Sequence, residues 1–260
     1  MSSAADRRTR TLVTTAVVLA LVGLVSLVPG EIRWELAWER RGQFALGLGL
    51  TAAISFGALI VGLALGTLAG LAFVSRSVAL RQLARTYVEL VRGTPFLVQL
   101  FLWYVCLASV LRLKEVLGVA EAAVVGGFGL GVFAGAYVCE IVRAAVHSID
   151  RGQWEAARSL GLGHRATLWR VILPQCRRRL LPPLTGEAVS LVKESSLLSI
   201  FGVAELTYQA RALQSHHYET WAAYLPLALL YLVITLPLSM LTRRLERSGA
   251  RPDPLPVEAL

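Results

Sequence analysis

Trp154-Glu155-Ala156-Ala157-Arg158-Ser159-Leu160-Gly161-Leu162-Gly163-His164-Arg165 runs on through Ala166-Thr167-Leu168-Trp169-Arg170-Val171-Ile172-Leu173-Pro174. This stretch is short and charged, and strongly apolar segments flank it. Residues 155–160 are good helix formers, and Gly161 and Gly163 can end that turn with positive φ. A second helical piece is predicted over residues 164–171, stopped by Pro174. Ala157 and Gly161 are four apart and small, so a shared helical face there would admit a close partner surface. Two small helices joined by glycine make a knob too polar to lie in lipid and too short to fold alone.

Around this knob the chain is built for a membrane. It has 260 residues, 55% of them hydrophobic, with a mean hydropathy of +0.60. That is the balance of an all-α polytopic membrane protein, not of a soluble domain. Lys and Arg number 26 against 17 Asp and Glu, a net charge of +9. In so apolar a chain this excess reads as arginines in cytoplasmic loops rather than as a nucleic-acid surface. Lys114 and Lys193 are the only lysines and neither follows a glycine-rich loop. A phosphate-binding G-x-x-x-x-G-K-[ST] is therefore missing, and the chain is no ATPase. Cys106, Cys139 and Cys176 suggest no disulfide framework.

Six spans are predicted, at residues 11–28, 44–74, 86–111, 121–147, 180–202 and 220–242. The first could also be a signal peptide, but no small-x-small cleavage site precedes Pro29-Gly30, which favours a retained helix. Gly62, Gly66 and Gly70 recur every four residues, as do Gly127, Gly131 and Gly135. At that spacing small residues let helices pack closely in lipid. Residues 75–85, 112–120 and 203–219 read as loops. Pro182-Pro183 should break the fifth span near its start, and the tail from Arg243 is basic, then proline-rich. With the N-terminus cytoplasmic, the inside segments hold 18 Lys and Arg and the outside segments 6. The asymmetry predicts that both termini and residues 143–179 are cytoplasmic. His216-His217 could ligate a metal, but no further ligand is near in sequence.

The knob resembles the cytoplasmic loop signature of ABC-importer permeases: Glu-Ala-Ala, three residues, Gly, nine residues, Ile, one residue, Leu-Pro. Glu155, Ala156, Ala157, Gly161, Leu173 and Pro174 fall in register, and Val171 stands where the pattern has Ile. Two further stretches are similar to the polar amino acid uptake family, the branch that includes histidine and glutamine permeases. One is Tyr87-Val88-Glu89-Leu90-Val91-Arg92-Gly93-Thr94-Pro95-Phe96-Leu97-Val98-Gln99; the other runs from Leu191 through Lys193 to Thr207. The resemblance covers about residues 43–246. It implies a type I ABC-importer permease fold of five core helices, here with an extra N-terminal helix. It divides the chain into residues 1–42, the permease domain 43–246 with its coupling loop at about 143–179, and a tail 247–260. It also implies the partners: an ABC ATP-binding subunit docked on the loop, an extracytoplasmic amino-acid-binding protein, and a second permease. The chain itself would bind no cofactor; ATP and Mg would sit on the partner ATPase. The setting would be the lipid of a bacterial inner membrane, with no nucleic acid involved.

Ionisable residues at membrane depth are costly and usually face a partner or a water-filled path. Glu89 with Arg92, and Glu140 with Arg143, are three apart on helices and can pair. Each pair reads as a structural ion pair or as part of a path. Gly93-Thr94-Pro95 should interrupt a helix, which is tolerated only beside protein or a cavity. Lys193, deeper in its span, favours the path reading. Thr94, Pro95, Gln99, Tyr137 and Glu187 complete the candidate path or gate.

The function so implied is ATP-driven import of a polar amino acid, or of an amino-acid-like solute such as an opine, ectoine or cystine. Two rivals are weaker. An intramembrane enzyme would need a catalytic set such as H-E-x-x-H, yet the aspartates are only Asp6, Asp150 and Asp253 and the histidines lie near loops. A secondary transporter would lack the coupling loop and often shows inverted repeats.

Overall fold

The computed structural model describes residues 32–108 and 118–249, together with Gly23. The chain divides into two compact units, residues 1–34 and 35–260. The predicted first span, most of the 112–120 connection and residues 250–260 lie outside the described residues. Every regular element described is helical. They are α1 (Trp34–Glu39), α2 (Arg41–Phe73), α3 (Val78–Arg92), α4 (Phe96–Leu102), α5 (Glu121–His147), α6 (Arg151–Ser159), α7 (His164–Thr167), α8 (Leu173–Glu194), α9 (Leu206–His217) and α10 (Thr220–Gly249).

Three of these are long and apolar enough to cross a bilayer: α2, α5 and the Thr220–Arg247 part of α10. Two other predicted spans take courses different from those expected. In the first, helix begins at Val78, inside the stretch read as a loop. Ser77 caps it, its Oγ accepting the Leu80 N–H at 3.4 Å. That helix ends at Arg92, the chain breaks at Gly93-Thr94-Pro95, and α4 restarts at Phe96 and widens into a π turn over Trp103–Ala108.

In the second, α8 begins earlier than expected. Pro174 does not stop α7, because a π turn over Leu168–Ile172 joins α7 to α8 and the Leu173 N–H bonds the Leu168 carbonyl five residues back. The wide turn puts Pro174 near the start of α8, where its missing donor costs little. Nor do Pro182 and Pro183 break α8. The carbonyls they leave open belong to Arg178 and Arg179, both exposed, and water can take them. The 203–219 stretch, read as a loop, is mostly α9.

α2 and α5 form the central pair. A Cβ on Gly62 would lie 2.8 Å from the Ala134 Cβ, one on Gly66 2.6 Å from the Gly135 carbonyl, and one on Gly70 2.7 Å from the Val142 Cβ. Only hydrogen fits at these three positions, so the four-residue glycine period is a packing seam. Phe96, Leu100, Leu191 and Leu198 close over the pair beside Leu130 and Phe133, with Phe96 and Phe133 ring centroids 4.7 Å apart.

A buried carboxylate fastens α9. Glu205 caps it by accepting the Tyr208 N–H at 2.9 Å, and accepts hydroxyls from Thr51 of α2 and Tyr231 of α10, both at 3.2 Å. Burial pushes this carboxyl above its ordinary pKa, against the opposing pull of those donors.

Candidate functional site

Of the two glycines expected to turn the knob, Gly161 does so and Gly163, at φ −67, is ordinary extended backbone. Asp150 caps α6 by accepting the Gly152 N–H at 2.7 Å. At the far end Gly161 sits at φ +78. Its N–H bonds the Arg158 carbonyl at 2.9 Å, and the Leu162 N–H bonds the Ala157 carbonyl at 3.1 Å. Those two crossed bonds are the Schellman arrangement, and they turn the chain sharply into α7.

The underside is fixed to the membrane helices. Trp154 packs on the cluster of Ala145, Ile149, Ile172 and Cys176, and stacks on His164 with centroids 5.6 Å apart. Gln175 donates to Gln153 at 3.1 Å, and the Arg179 guanidinium donates to the Ser148 carbonyl.

This placement sorts the signature residues. Glu155, Ala156, Gly161 and Pro174 are exposed and Leu173 is half-buried. Ala157 is only 3% exposed, so it packs inside the chain. Gly161 lies beyond the end of α6. The shared small-residue face expected of Ala157 and Gly161 is therefore not presented to a partner. The apolar tip is Leu160, 81% exposed. Sequence reading took it for one more helix former; its position directly before the turning glycine was the available signal.

The charged residues converge on α5. Arg143 grips Glu140 with two bonds of 3.1 and 2.7 Å. Arg92 does not pair with Glu89 but reaches across to Glu140 at 3.8 Å, its guanidinium 5.0 Å above the Tyr137 ring. Across helices Glu140 can serve both arginines, whereas Glu89 is exposed and makes no ion pair among the described residues. An open cavity of about 530 Å³ is lined by Arg92, Tyr137, Glu140, Arg179, Pro183 and Glu187, and it extends to Ser148 at the head of the knob.

Other predicted path residues stand apart. Gln99 is buried and its amide donates to the Val91 carbonyl at 2.6 Å, the Thr94 carbonyl at 3.0 Å and the Thr94 hydroxyl at 2.9 Å. It thus seals the break that Gly93-Thr94-Pro95 opens, which is a positioning task. Thr94 and Pro95 are exposed at that break. Lys193 is exposed near the far end of α8 without an ion pair among the described residues.

Comparison with known proteins agrees with this architecture. Residues 62–249 match the family described as binding-protein-dependent transport system inner membrane component. The chain belongs to this family. It is the multi-pass membrane permease subunit of an ABC importer, and the ATPase is a separate subunit. It is 36% identical over 217 residues to the glutamine transport system permease GlnP of Escherichia coli K12, covering 84% of this chain and 97% of the relative. It is 36% identical over 202 residues to the L-cystine transport system permease TcyB of Bacillus subtilis 168, covering 77% and 84%. Among solved structures, the crystal structure of an amino acid ABC transporter with histidines is similar at TM-score 0.74 and 34% identity. The match covers 84% of this chain and all of that one.

Proposed function

We propose that this permease imports a polar amino acid. One observation carries the mechanism: the charged cavity and the knob share their walls. Tyr137 and Glu140 lie along α5 with Ser148 just past its end, and Arg179, Pro183 and Glu187 lie along α8. α8 holds α6 through the Gln175–Gln153 bond and holds the end of α5 through the Arg179–Ser148 bond. Force applied to the knob is thus delivered to the cavity without an intervening flexible loop.

In this reading residues 143–179 are cytoplasmic, both termini lie on that side, and α6 docks on the ATP-binding subunit through Glu155, Ala156, Leu160 and Gly161. ATP and Mg act there, on the partner. A second permease completes the path, and an extracytoplasmic binding protein delivers the solute. Arg92, Tyr137, Glu140 and Glu187 offer both charge signs and an aromatic face, which suits a zwitterion. Equal identity to a glutamine and a cystine permease supports a polar amino acid as the class of solute.

The test is ATPase stimulation of the reconstituted importer in lipid nanodiscs by its binding protein, loaded in turn with each amino acid. Stimulation by polar amino acids is expected. A complex indifferent to all of them, yet driven by another solute, refutes the substrate class.

A further inference from the structure

We propose that a groove on the outer flank of α2 and α3 binds an anionic phospholipid. The inference rests on the reading above that residues 143–179 are cytoplasmic, since His164, Arg165 and Trp169 of that stretch line the basic end of the groove.

The groove has two neighbouring parts with Leu80 on the wall of both. The first, about 310 Å³, is a slot between α2 and α3, lined by Leu65, Leu68, Ala69, Ala72, Leu83 and Ala84. The three alanines leave the hollow that longer side chains would fill. Tyr87 also borders it, but its hydroxyl is turned inward onto the Val132 carbonyl at 2.6 Å. The slot therefore presents no unmet polar group. Leu68 and Leu83 are 67% and 69% exposed.

The second part, about 850 Å³, is a mouth lined by Ser75, Arg76, Ser77, His164, Arg165 and Trp169. No carboxylate lines the mouth. Arg76 and Arg165 are exposed and make no ion pair among the described residues.

An apolar slot beside a basic mouth has the polarity of a lipid: acyl chain above, phosphate below. The level is right as well. Trp169 is exposed beside the arginines, as aromatic residues are at a membrane interface. The face is also right. Leu80, Leu83 and Tyr87 recur at i, i+3 and i+7 on one side of α3, opposite Arg81, Arg85 and Arg92. The slot thus turns away from the charged cavity and toward the bilayer. An anionic headgroup gains attraction from each nearby arginine that a zwitterionic one does not.

The test is native mass spectrometry of the full permease released from nanodiscs holding equal phosphatidylglycerol and phosphatidylcholine. Wild type should retain phosphatidylglycerol with about a 30-fold preference, the effect of two arginines. Arg76→Ser with Arg165→Ser, both at exposed sites, should reduce that preference to near unity while some lipid stays bound. Ala72→Phe, which fills the slot, should lose both lipids. An undiminished preference in the double variant overturns the proposal. So does displacement of the lipid by inorganic phosphate alone, or retention of neither lipid by wild type. Should the double variant keep its lipid preference but lose the ATPase subunit, the mouth belongs to that interface and the proposal also falls.

Discussion

Leu160→Ala isolates docking from folding. The side chain is 81% exposed and lies outside the buried clusters, so its removal leaves the permease intact. Its neighbours keep their places, because the turn is held by the Gly161 and Leu162 backbone bonds and not by the leucine. If the knob docks through its tip, the ATPase subunit must cover this residue. Truncation removes three carbons from the buried contact at about 0.8 kcal/mol each, about 2.4 kcal/mol in all. That weakens association about 50-fold. The assay is binding of the purified ATPase subunit to permease in nanodiscs by biolayer interferometry, with thermal melting of the permease alone as control. The melting temperature should be unchanged. An affinity within twofold of wild type would refute docking through the tip, and an equal loss in melting temperature would show that Leu160 supports the fold instead.

Gln99→Leu removes the donor that seals the helix break, leaving the Val91 and Thr94 carbonyls unmet; a loss of about 1–3 kcal/mol in stability is expected from denaturant titration, and no loss would mean the break needs no seal. Gly66→Val would drive a Cβ toward the Gly135 carbonyl at 2.6 Å; overpacking at backbone should cost about 3 kcal/mol, measured by thermal melting in detergent, and an unaltered melt would undo the packing-seam account. Glu205→Gln tests the buried carboxylate. Its folded pKa is raised, so the native state holds the proton more tightly than the unfolded chain. Wild-type stability relative to Glu205→Gln should therefore fall as pH rises from the ordinary carboxylate value through the raised one. Melts from acid to neutral pH should show that slope, and the opposite slope would mean the donors from Thr51, Tyr208 and Tyr231 outweigh burial.

The glycine seam was legible because its period is geometric: Gly62, Gly66 and Gly70 fall on one stripe whatever lies opposite. The turn at Gly161 was legible for a similar local reason. The proline positions were misread, since a rule for isolated helices allows for neither a π turn that absorbs Pro174 nor water at the exposed carbonyls beside Pro182 and Pro183. Of the residues that line the cavity, Arg92, Tyr137, Glu140 and Glu187 were named from sequence as path residues; Arg179, Pro183 and Ser148 were not, and neither was the partnership of Arg92 with Glu140. Glu89 and Arg92 are near in sequence, yet Arg92 finds Glu140 of α5, a contact that only the packing of α3 on α5 supplies. Gln99 was named as a candidate to line a path; its amide is instead taken up by the chain's own broken backbone. The Glu205 clamp joins residues 154 apart and leaves no local trace.

The break at Gly93-Thr94-Pro95 has a consequence for biogenesis. α3 has 15 residues and would reach about 22 Å, and α4 with its π turn has 13 and would reach about 20 Å. Neither alone crosses a hydrocarbon layer of about 30 Å. Phe96 finds its cover against Phe133 of α5. This part of the chain therefore enters the bilayer as a client of helices on either side of it in sequence, and a ribosome that has made residues 78–108 has not yet made the helix that receives them.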